Sequence, residues 1–398
     1  MRRRQTKQKP TNNTDAPRKT YSQICRVGFV MQGSGVNVRK ILCCLLWCVL
    51  CLPAAGALSA RAAVVIDADT GEVLFSQNAD EQLPMASTTK IMTALVALGE
   101  GDLDRTYTVK KAYTQVEGTS MYLQEGETLT IRDTLYGLML ESGNDAAVAI
   151  AGECGGLDAF VQKMNDKAAS LGLTNTHFEN PNGLPADNHY TTAHELAIIT
   201  AEALRDPVFR QIVSTQTYTV GQRTFSNHNR LLSMYEDAIG VKTGYTKAAG
   251  RCLVSAAERN GRTLVAVTLN DPDDWNDHIA LLDQCFAKYE PVTLHEAGDT
   301  IVQQQVFGGK VDTVPLVARN TVTAYLLPGE RERLETVRYG DRICYAPVVQ
   351  SASAGQIEYR LDGVALASDA LVYGGAVLLE HEEKSFADRL WEKLFGND

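Results

Sequence analysis

Ser87 and Lys90 are three residues apart, and their types and spacing could support covalent chemistry. On a helix, residues three apart share a face, so the lysine amine can reach the serine hydroxyl. A hydroxyl becomes a good nucleophile when a base takes its proton, and lysine is a base only when uncharged. Burial and a second nearby cation both lower the pKa of a lysine in that direction. The pair alone is a weak signal, because a solvated lysine near a helix start has the same spacing.

Two further motifs offer groups that such a nucleophile would need. Ser142-Gly-Asn144 follows a predicted helix and is expected on a loop. There Ser142 can relay a proton to a leaving amine, and the Asn144 amide can hold a substrate carbonyl. Lys242-Thr-Gly244 lies in a predicted strand, where Lys242 and Thr243 can bind a carboxylate and Gly244 lets an extended peptide approach the backbone. Taken singly, these motifs are more simply explained as a helix-stop loop and a solvated strand end.

Apolar periodicity places the three motifs in an α+β domain with an antiparallel sheet and a helical cluster. The first and last strands are expected to share that sheet. The predicted elements are a hairpin over Ala62–Phe75, a helix after Pro84, helices over Ile131–Glu141, Ala146–Glu153, Leu157–Leu171 and Thr192–Leu204, and strands over Ala238–Thr246, Cys252–Ala257 and Thr263–Leu269.

Beyond this domain the pattern changes to short alternating runs broken by glycine, which predicts a small all-β, sandwich-like domain. The tail then places apolar residues on one stripe of an amphipathic helix, which could dock on the β domain or lie in a membrane interface. The predicted organisation is 1–57 N-terminal extension and signal peptide, 58–290 catalytic domain, 291–381 all-β domain and 382–398 amphipathic helix.

The N-terminal region has the pattern of a secretory signal. Residues 1–40 hold ten Lys and Arg against one acid, and an apolar run over Ile41–Leu52 is followed by small residues. We therefore expect an exported protein with cleavage near Ala57, and Met31 would be a more ordinary start than Met1. The rest of the chain is strongly acidic, which argues against nucleic acid as a partner.

Neither cysteines nor histidines indicate a metal site. Cys154, Cys252, Cys285 and Cys344 are widely spaced, so buried apolar thiols are expected, with a disulfide still possible. His194-Glu-Leu-Ala-Ile198 has isoleucine where a zinc peptidase motif needs its second histidine. No metal and no other cofactor is predicted.

Together, in chain order, the three motifs resemble the S-x-x-K, S-x-N and K-T-G set of penicillin-binding proteins and serine β-lactamases. Over about 58–290 the chain is similar to the low-molecular-mass D-alanyl-D-alanine carboxypeptidases, serine peptidase family S11. The segments that carry the resemblance are Pro84-Met-Ala-Ser-Thr-Thr-Lys-Ile-Met-Thr93, Glu141-Ser-Gly-Asn-Asp-Ala-Ala147, Asn182-Gly-Leu184, His189-Tyr-Thr-Thr-Ala193 and Gly240-Val-Lys-Thr-Gly-Tyr-Thr-Lys-Ala-Ala-Gly250.

The resemblance implies a β-lactamase/transpeptidase-like fold and a D-Ala-D-Ala carboxypeptidase that acts on peptidoglycan stem peptides and is acylated by β-lactam antibiotics. It implies that Ser87 is acylated with Lys90 as base, and that the oxyanion hole uses the backbone N–H groups of Ser87 and Tyr245. Family members often carry histidine where Tyr245 stands, a change that a backbone donor tolerates. By the same resemblance, Ser142 and Asn144 orient the substrate. Lys242 and Thr243 hold its carboxylate.

Two alternatives remain open from the sequence. A class A β-lactamase shares the motifs but needs a glutamate-activated water, and Glu179 is its one tempting candidate. A penicillin-sensing or wall-binding protein would be acylated with little turnover, and the motifs do not exclude it.

Overall fold

The computed structural model of the protein describes residues 58–380 and 386–395. The predicted signal segment over 1–57 and residues 382–385 and 396–398 of the predicted tail helix lie outside these ranges. No helix in the described ranges is long and apolar enough to cross a membrane.

The N-terminal part of the described chain is built on a five-stranded antiparallel sheet in the order β2-β1-β9-β8-β7. Its strands are β1 (Ala62–Asp67), β2 (Val73–Gln77), β7 (Ala238–Thr246), β8 (Gly250–Arg259) and β9 (Arg262–Leu269). Two small hairpins flank the sheet: β3 (Thr106–Thr108) with β4 (Thr128–Thr130), and β5 (Thr217–Val220) with β6 (Arg223–Ser226).

Nine helices accompany these strands within the described residues. They are α1 (Lys90–Gly99), α2 (Lys111–Thr114), α3 (Ile131–Leu140), α4 (Asn144–Glu153), α5 (Leu157–Ser170), α6 (Ala193–Leu204), α7 (Pro207–Ser214), α8 (Leu231–Met234) and α9 (Asp274–Phe286). Local sequence explains several of their starts. Thr130 and Asp133 form a capping box on α3, Thr192 accepts a hydrogen bond from the Glu195 N–H on α6, and Asp206 caps α7 just before Pro207.

The sheet is covered on both faces, as the alternation of side chains along a strand requires. Along β1, Ala62, Val64 and Ile66 pack into the large apolar core under the helical cluster. Ala63 and Val65 face the opposite core, where Leu281, Leu282, Cys285 and Phe286 of α9 cover the sheet. The expectation that the first and last strands share one sheet is confirmed, and β1 lies directly beside β9 over its whole length.

The C-terminal part is all-β. It contains a six-stranded sheet in the order β14-β16-β17-β12-β11-β15 and a β10-β13 pair. The strands are β10 (Glu290–His295), β11 (Thr300–Phe307), β12 (Thr313–Ala318), β13 (Val322–Leu326), β14 (Leu334–Tyr339), β15 (Ile343–Tyr345), β16 (Ser353–Leu361) and β17 (Val364–Tyr373). A last helix, α10, spans Phe386–Phe395.

A buried charge network joins the β domain to the sheet of the first domain. Arg262 on β9 is 2 % exposed and forms ion pairs with Asp67, at 3.2 Å, and with Glu330 of the β domain. The Tyr289 hydroxyl donates to Asp67 at 2.7 Å, and its ring lies 4.9 Å from the Arg262 guanidinium carbon. Buried charges persist only when paired and hydrogen-bonded, so this network fixes the contact between the two domains.

The sequence-based expectations need three corrections. Ser87 lies in a 3-10 turn over Ala86–Thr89 rather than in the first turn of α1, because Ala86 takes a left-handed φ of 50° and bends the chain before the helix begins. Asn144 is the first residue of α4 rather than part of a loop. Helices α2, α7, α8 and α9 and the two small hairpins were not predicted, although the buried residues of α9 recur at helical spacing. The four cysteines in the described range are free and buried, as expected.

Candidate active site

The turn before α1 holds the nucleophile candidate in place. The Thr88 hydroxyl donates to the Met85 carbonyl at 2.6 Å, and the Thr89 hydroxyl donates to the Ala86 carbonyl at 2.8 Å. These bonds fix the backbone on both sides of Ser87, whose side chain lines the cleft. The strained φ of Ala86, next to Ser87, matches the general tendency of backbone strain to gather at functional sites.

The Lys90 side chain is fully buried behind Ser87. Its Nζ lies 3.0 Å from the Ser87 Oγ, 2.7 Å from the Asn144 Oδ1 and 2.7 Å from the Asn182 carbonyl oxygen. Burial and then the nearby Lys242 lower the pKa of Lys90 well below its ordinary value, and Asp145 opposes them.

This arrangement fits an uncharged amine. A carbonyl oxygen and an amide oxygen can only accept hydrogen bonds, so the Asn182 and Asn144 oxygens take the two N–H groups of a neutral amine. The nitrogen lone pair is then left for the Ser87 hydroxyl, which can donate its proton to it. The amide of Asn144 is oriented by its own Nδ2, which donates to the Glu117 carbonyl at 2.6 Å.

The loop that presents the Asn182 carbonyl depends on Gly183. Asn180 Oδ1 accepts hydrogen bonds from the N–H groups of Asn182 and Gly183, which closes a tight turn. Gly183 has a φ of +87°, and a Cβ at this position would lie 1.9 Å from the Ala86 carbonyl oxygen. The close approach of these two backbones brings the Asn182 carbonyl to Lys90.

Ser142 and Asn144 are held by a loop that crosses in front of α4. The Thr119 hydroxyl donates to the Ser142 carbonyl at 2.6 Å, and the Asn144 N–H donates to the Thr119 carbonyl at 2.7 Å. The buried Asp145 carboxylate accepts hydrogen bonds from the backbone N–H groups of Met121 and Leu123. Ser142 itself takes a left-handed φ of 61°, so its side chain is held in the cleft by a backbone that the loop stabilises.

Strand β7 forms the opposite wall of the cleft and lies at one end of the five-strand order. The Lys242 amine is buried and donates to the Thr243 carbonyl at 2.9 Å. Burial lowers the pKa of Lys242 to about 7. A Cβ on Gly244 would lie 3.1 Å from the Ser87 nitrogen, so the strand passes directly beside the nucleophile. Such an edge can receive an extended peptide as an added strand.

The cleft encloses about 410 Å³. Six of the predicted site residues line it, and Lys90 and Lys242 are buried behind its surface. The six are Ser87, Ser142, Asn144, Thr243, Gly244 and Tyr245. Other lining residues carried no chemical signal of their own in the sequence, and these include Gly118, His228, Arg251, Asp274 and Trp275.

The rival sites gain no support from this geometry. The Glu179 carboxylate accepts a hydrogen bond from the Asn188 N–H at 3.0 Å and does not line the cleft. The His194 ring lies 3.4 Å from the exposed Asp80. Within the described ranges, no group of three or more His, Cys, Asp or Glu side chains is arranged to hold a metal ion.

Known proteins are similar to this chain in both sequence and fold. Residues 51–273 match the family described as D-alanyl-D-alanine carboxypeptidase, peptidase S11, and residues 289–378 match the family described as penicillin-binding protein 5, C-terminal domain. A D-alanyl-D-alanine carboxypeptidase of Bacillus subtilis is 34% identical over 325 residues, which cover 77% of this chain and 83% of that protein.

Solved structures of related proteins have the same fold. The structure of penicillin-binding protein 5 from Haemophilus influenzae superposes with a TM-score of 0.58 at 29% identity, over 82% of this chain and 99% of that one. The Streptomyces K15 DD-transpeptidase gives a TM-score of 0.57 at 36% identity, over 58% of this chain and 98% of that one. The chain belongs to the D-alanyl-D-alanine carboxypeptidase family of serine peptidases, and it has the fold of penicillin-binding proteins with an attached β domain.

Proposed function

We propose that this chain is a serine-type D-Ala-D-Ala carboxypeptidase that removes the terminal D-Ala from peptidoglycan stem peptides, and that penicillins acylate it. The observation that carries the proposal is the buried Lys90 amine within 3.0 Å of the Ser87 oxygen, with two obligate acceptors on its other side. Family membership supplies the substrate class, and the cleft geometry supplies the chemistry.

In the acylation step, the Ser87 oxygen bonds to the carbonyl carbon of the penultimate D-Ala while its proton passes to the Lys90 amine. The backbone N–H groups of Ser87 and Tyr245 stabilise the developing oxyanion. The C–N bond to the terminal D-Ala then breaks, and Ser142 relays the proton from Lys90 to the leaving amine, which returns Lys90 to its neutral form.

Substrate recognition is assigned to the opposite wall of the cleft. Lys242 and Thr243 bind the terminal carboxylate, a charge-assisted contact that positions the scissile bond. The Asn144 amide orients the acyl chain, and Gly244 allows the peptide backbone to lie against β7. Water then attacks the acyl-enzyme, Lys90 takes a proton from it, and the shortened peptide leaves as Ser87 recovers its hydroxyl proton.

The test combines turnover with mass spectrometry. The wild-type protein should release D-Ala from a stem pentapeptide and should gain one labelled penicillin on the peptide that contains Ser87. The Ser87→Ala variant should do neither. Stable acylation of the wild type without any D-Ala release would contradict turnover and favour a penicillin-sensing protein.

We also propose that the protein is exported and touches the membrane surface through its tail. Leu390, Trp391, Leu394 and Phe395 of α10 are 45–67 % exposed, which leaves an apolar stripe for an interface. Sedimentation with lipid vesicles tests the contact: a Trp391→Glu, Leu394→Glu variant should stay in solution, and equal sedimentation of variant and wild type would refute it. N-terminal sequencing of the secreted protein tests export with cleavage near residue 57.

A further inference from the structure

His228 lies in the cleft, and the side chain of the preceding Asn227 fixes the local backbone. His228 lines the cleft together with Ser87, Ser142 and Thr243. The Asn227 side-chain amide donates to the backbone carbonyls of Val213 and Thr215, at 3.1 and 3.0 Å. Its Oδ1 accepts a hydrogen bond from the Asn229 N–H at 2.9 Å. The imidazole is about half exposed, so a ligand in the cleft can reach it.

Glu141 and Lys242 act in opposite directions on the charge of the His228 ring. The Glu141 carboxylate at the end of α3 lies 3.5 Å from its Nε2, and the same carboxylate accepts the Ser226 N–H at 2.7 Å, which holds the ring's segment against α3. Lys242 belongs to β7, the strand whose Thr243 lines the same cleft. Burial and then Lys242 lower the pKa of His228, while Glu141 opposes them.

We propose that His228 is a specificity-determining residue that supplies a second positive charge, beside Lys242, for the terminal carboxylate of the stem peptide. This inference rests on the proposed function, because it concerns the same substrate in the same cleft. It assigns a role to a side chain that none of the three sequence motifs contains.

The physical reason is the balance of charges before and after binding. In the empty cleft, repulsion by Lys242 adds to burial in disfavouring the charged form of the His228 imidazole. A carboxylate placed beside both groups removes this repulsion and favours the charged form of each. Binding of a free carboxylate therefore takes up a proton, and the preference for that carboxylate increases as the pH falls from 8 to 6.

The experiment measures selectivity rather than activity alone. For the full chain, kcat/KM is determined for a stem pentapeptide with a free C-terminal carboxylate and for the same peptide with a carboxamide end, and their ratio is followed between pH 6 and pH 8. In His228→Gln we expect the ratio at pH 6 to fall about tenfold, as for loss of one charge-assisted hydrogen bond, and its pH dependence to weaken. In His228→Arg we expect the ratio at pH 6 to stay high and to fall less between pH 6 and pH 8 than in the wild type, because guanidinium keeps its charge while Lys242 still loses its own.

His194→Gln is the matched control, since His194 also lies beside a carboxylate but outside the cleft. Its ratio should equal that of the wild type. Unchanged selectivity in His228→Gln, with a wild-type unfolding temperature, would overturn the inference. So would a loss that His228→Arg does not rescue. Failure of the proposed function itself has a different signature, because the wild-type protein would then release no D-Ala that depends on Ser87.

Discussion

Replacing Gly183 with alanine should separate the geometry of the catalytic lysine from the stability of the fold. Gly183 lies against the Ala86 carbonyl, and a Cβ there would come within 1.9 Å of that oxygen. The Ala86 oxygen is a backbone atom, and the added Cβ is bonded directly to the backbone of residue 183. No side-chain rotation can therefore relieve the contact. The turn that carries the Asn182 carbonyl and the turn that carries Ser87 must therefore move apart.

The size of the effect follows from the distances. Relief of the contact requires a separation of about 1 Å, and a displacement of that size in a catalytic site costs about 100-fold in rate. The left-handed φ adds about 1–2 kcal/mol of strain for any residue with a Cβ. Gly329 has the same φ of +87°, and a Cβ added there would meet nothing within 4 Å, so Gly329→Ala measures the strain without the contact.

The assay is the second-order rate of acylation by a labelled penicillin, with thermal unfolding measured on the same samples. We expect Gly329→Ala to unfold at a lower temperature than the wild type and to be acylated at the wild-type rate. Gly183→Ala should be acylated about 100-fold more slowly. Equal acylation rates for the two variants would refute the view that this close approach positions the carbonyl partner of the lysine.

Three further predictions follow from other parts of the structure. Because burial lowers the pKa of Lys242 to about 7, it is charged below that value, so kcat/KM for peptides with a free carboxylate should fall as the pH rises above about 7, as a pH profile would show. Arg262→Met leaves the Asp67 and Glu330 carboxylates buried without their partner, and denaturant unfolding should show a loss of about 3–5 kcal/mol. Tyr122 is exposed at a φ of +62°, so Tyr122→Gly should raise the stability by up to about 1 kcal/mol in the same assay.

Local patterns are enough to predict most of the first domain. Strand β7 is predicted with its observed bounds, Ala238–Thr246, and α3 is predicted to within one residue, because its apolar periodicity and its Thr130 cap are both local. Helix α9 is missed although five of its buried residues recur at helical spacing. They are His278, Leu281, Leu282, Cys285 and Phe286. The run Asn270–Asp273 before it has the composition of a turn and obscures this pattern.

The site is predictable only in part, for a physical reason. Ser87, Lys90 and Lys242 belong to short motifs whose residue types carry chemistry. The groups that complete the site belong to no such motif. The Asn182 group that contacts Lys90 is a backbone carbonyl, which any residue could supply. His228 enters the cleft only because the chain after β6 folds back against α3, a tertiary contact that no local pattern specifies.

The charge state of Lys90 is the quantity on which the mechanism depends, and it can be measured directly. Nuclear magnetic resonance of the protein labelled with ¹⁵N at lysine side chains, with Lys90→Arg used to assign the signal, gives the pKa of this one amine in the empty enzyme. We predict that Lys90 titrates well below the ordinary lysine value of 10.5 and is largely uncharged where the enzyme is active. A Lys90 amine that stays charged up to about pH 10, the ordinary range for lysine, would contradict its role as the base for Ser87.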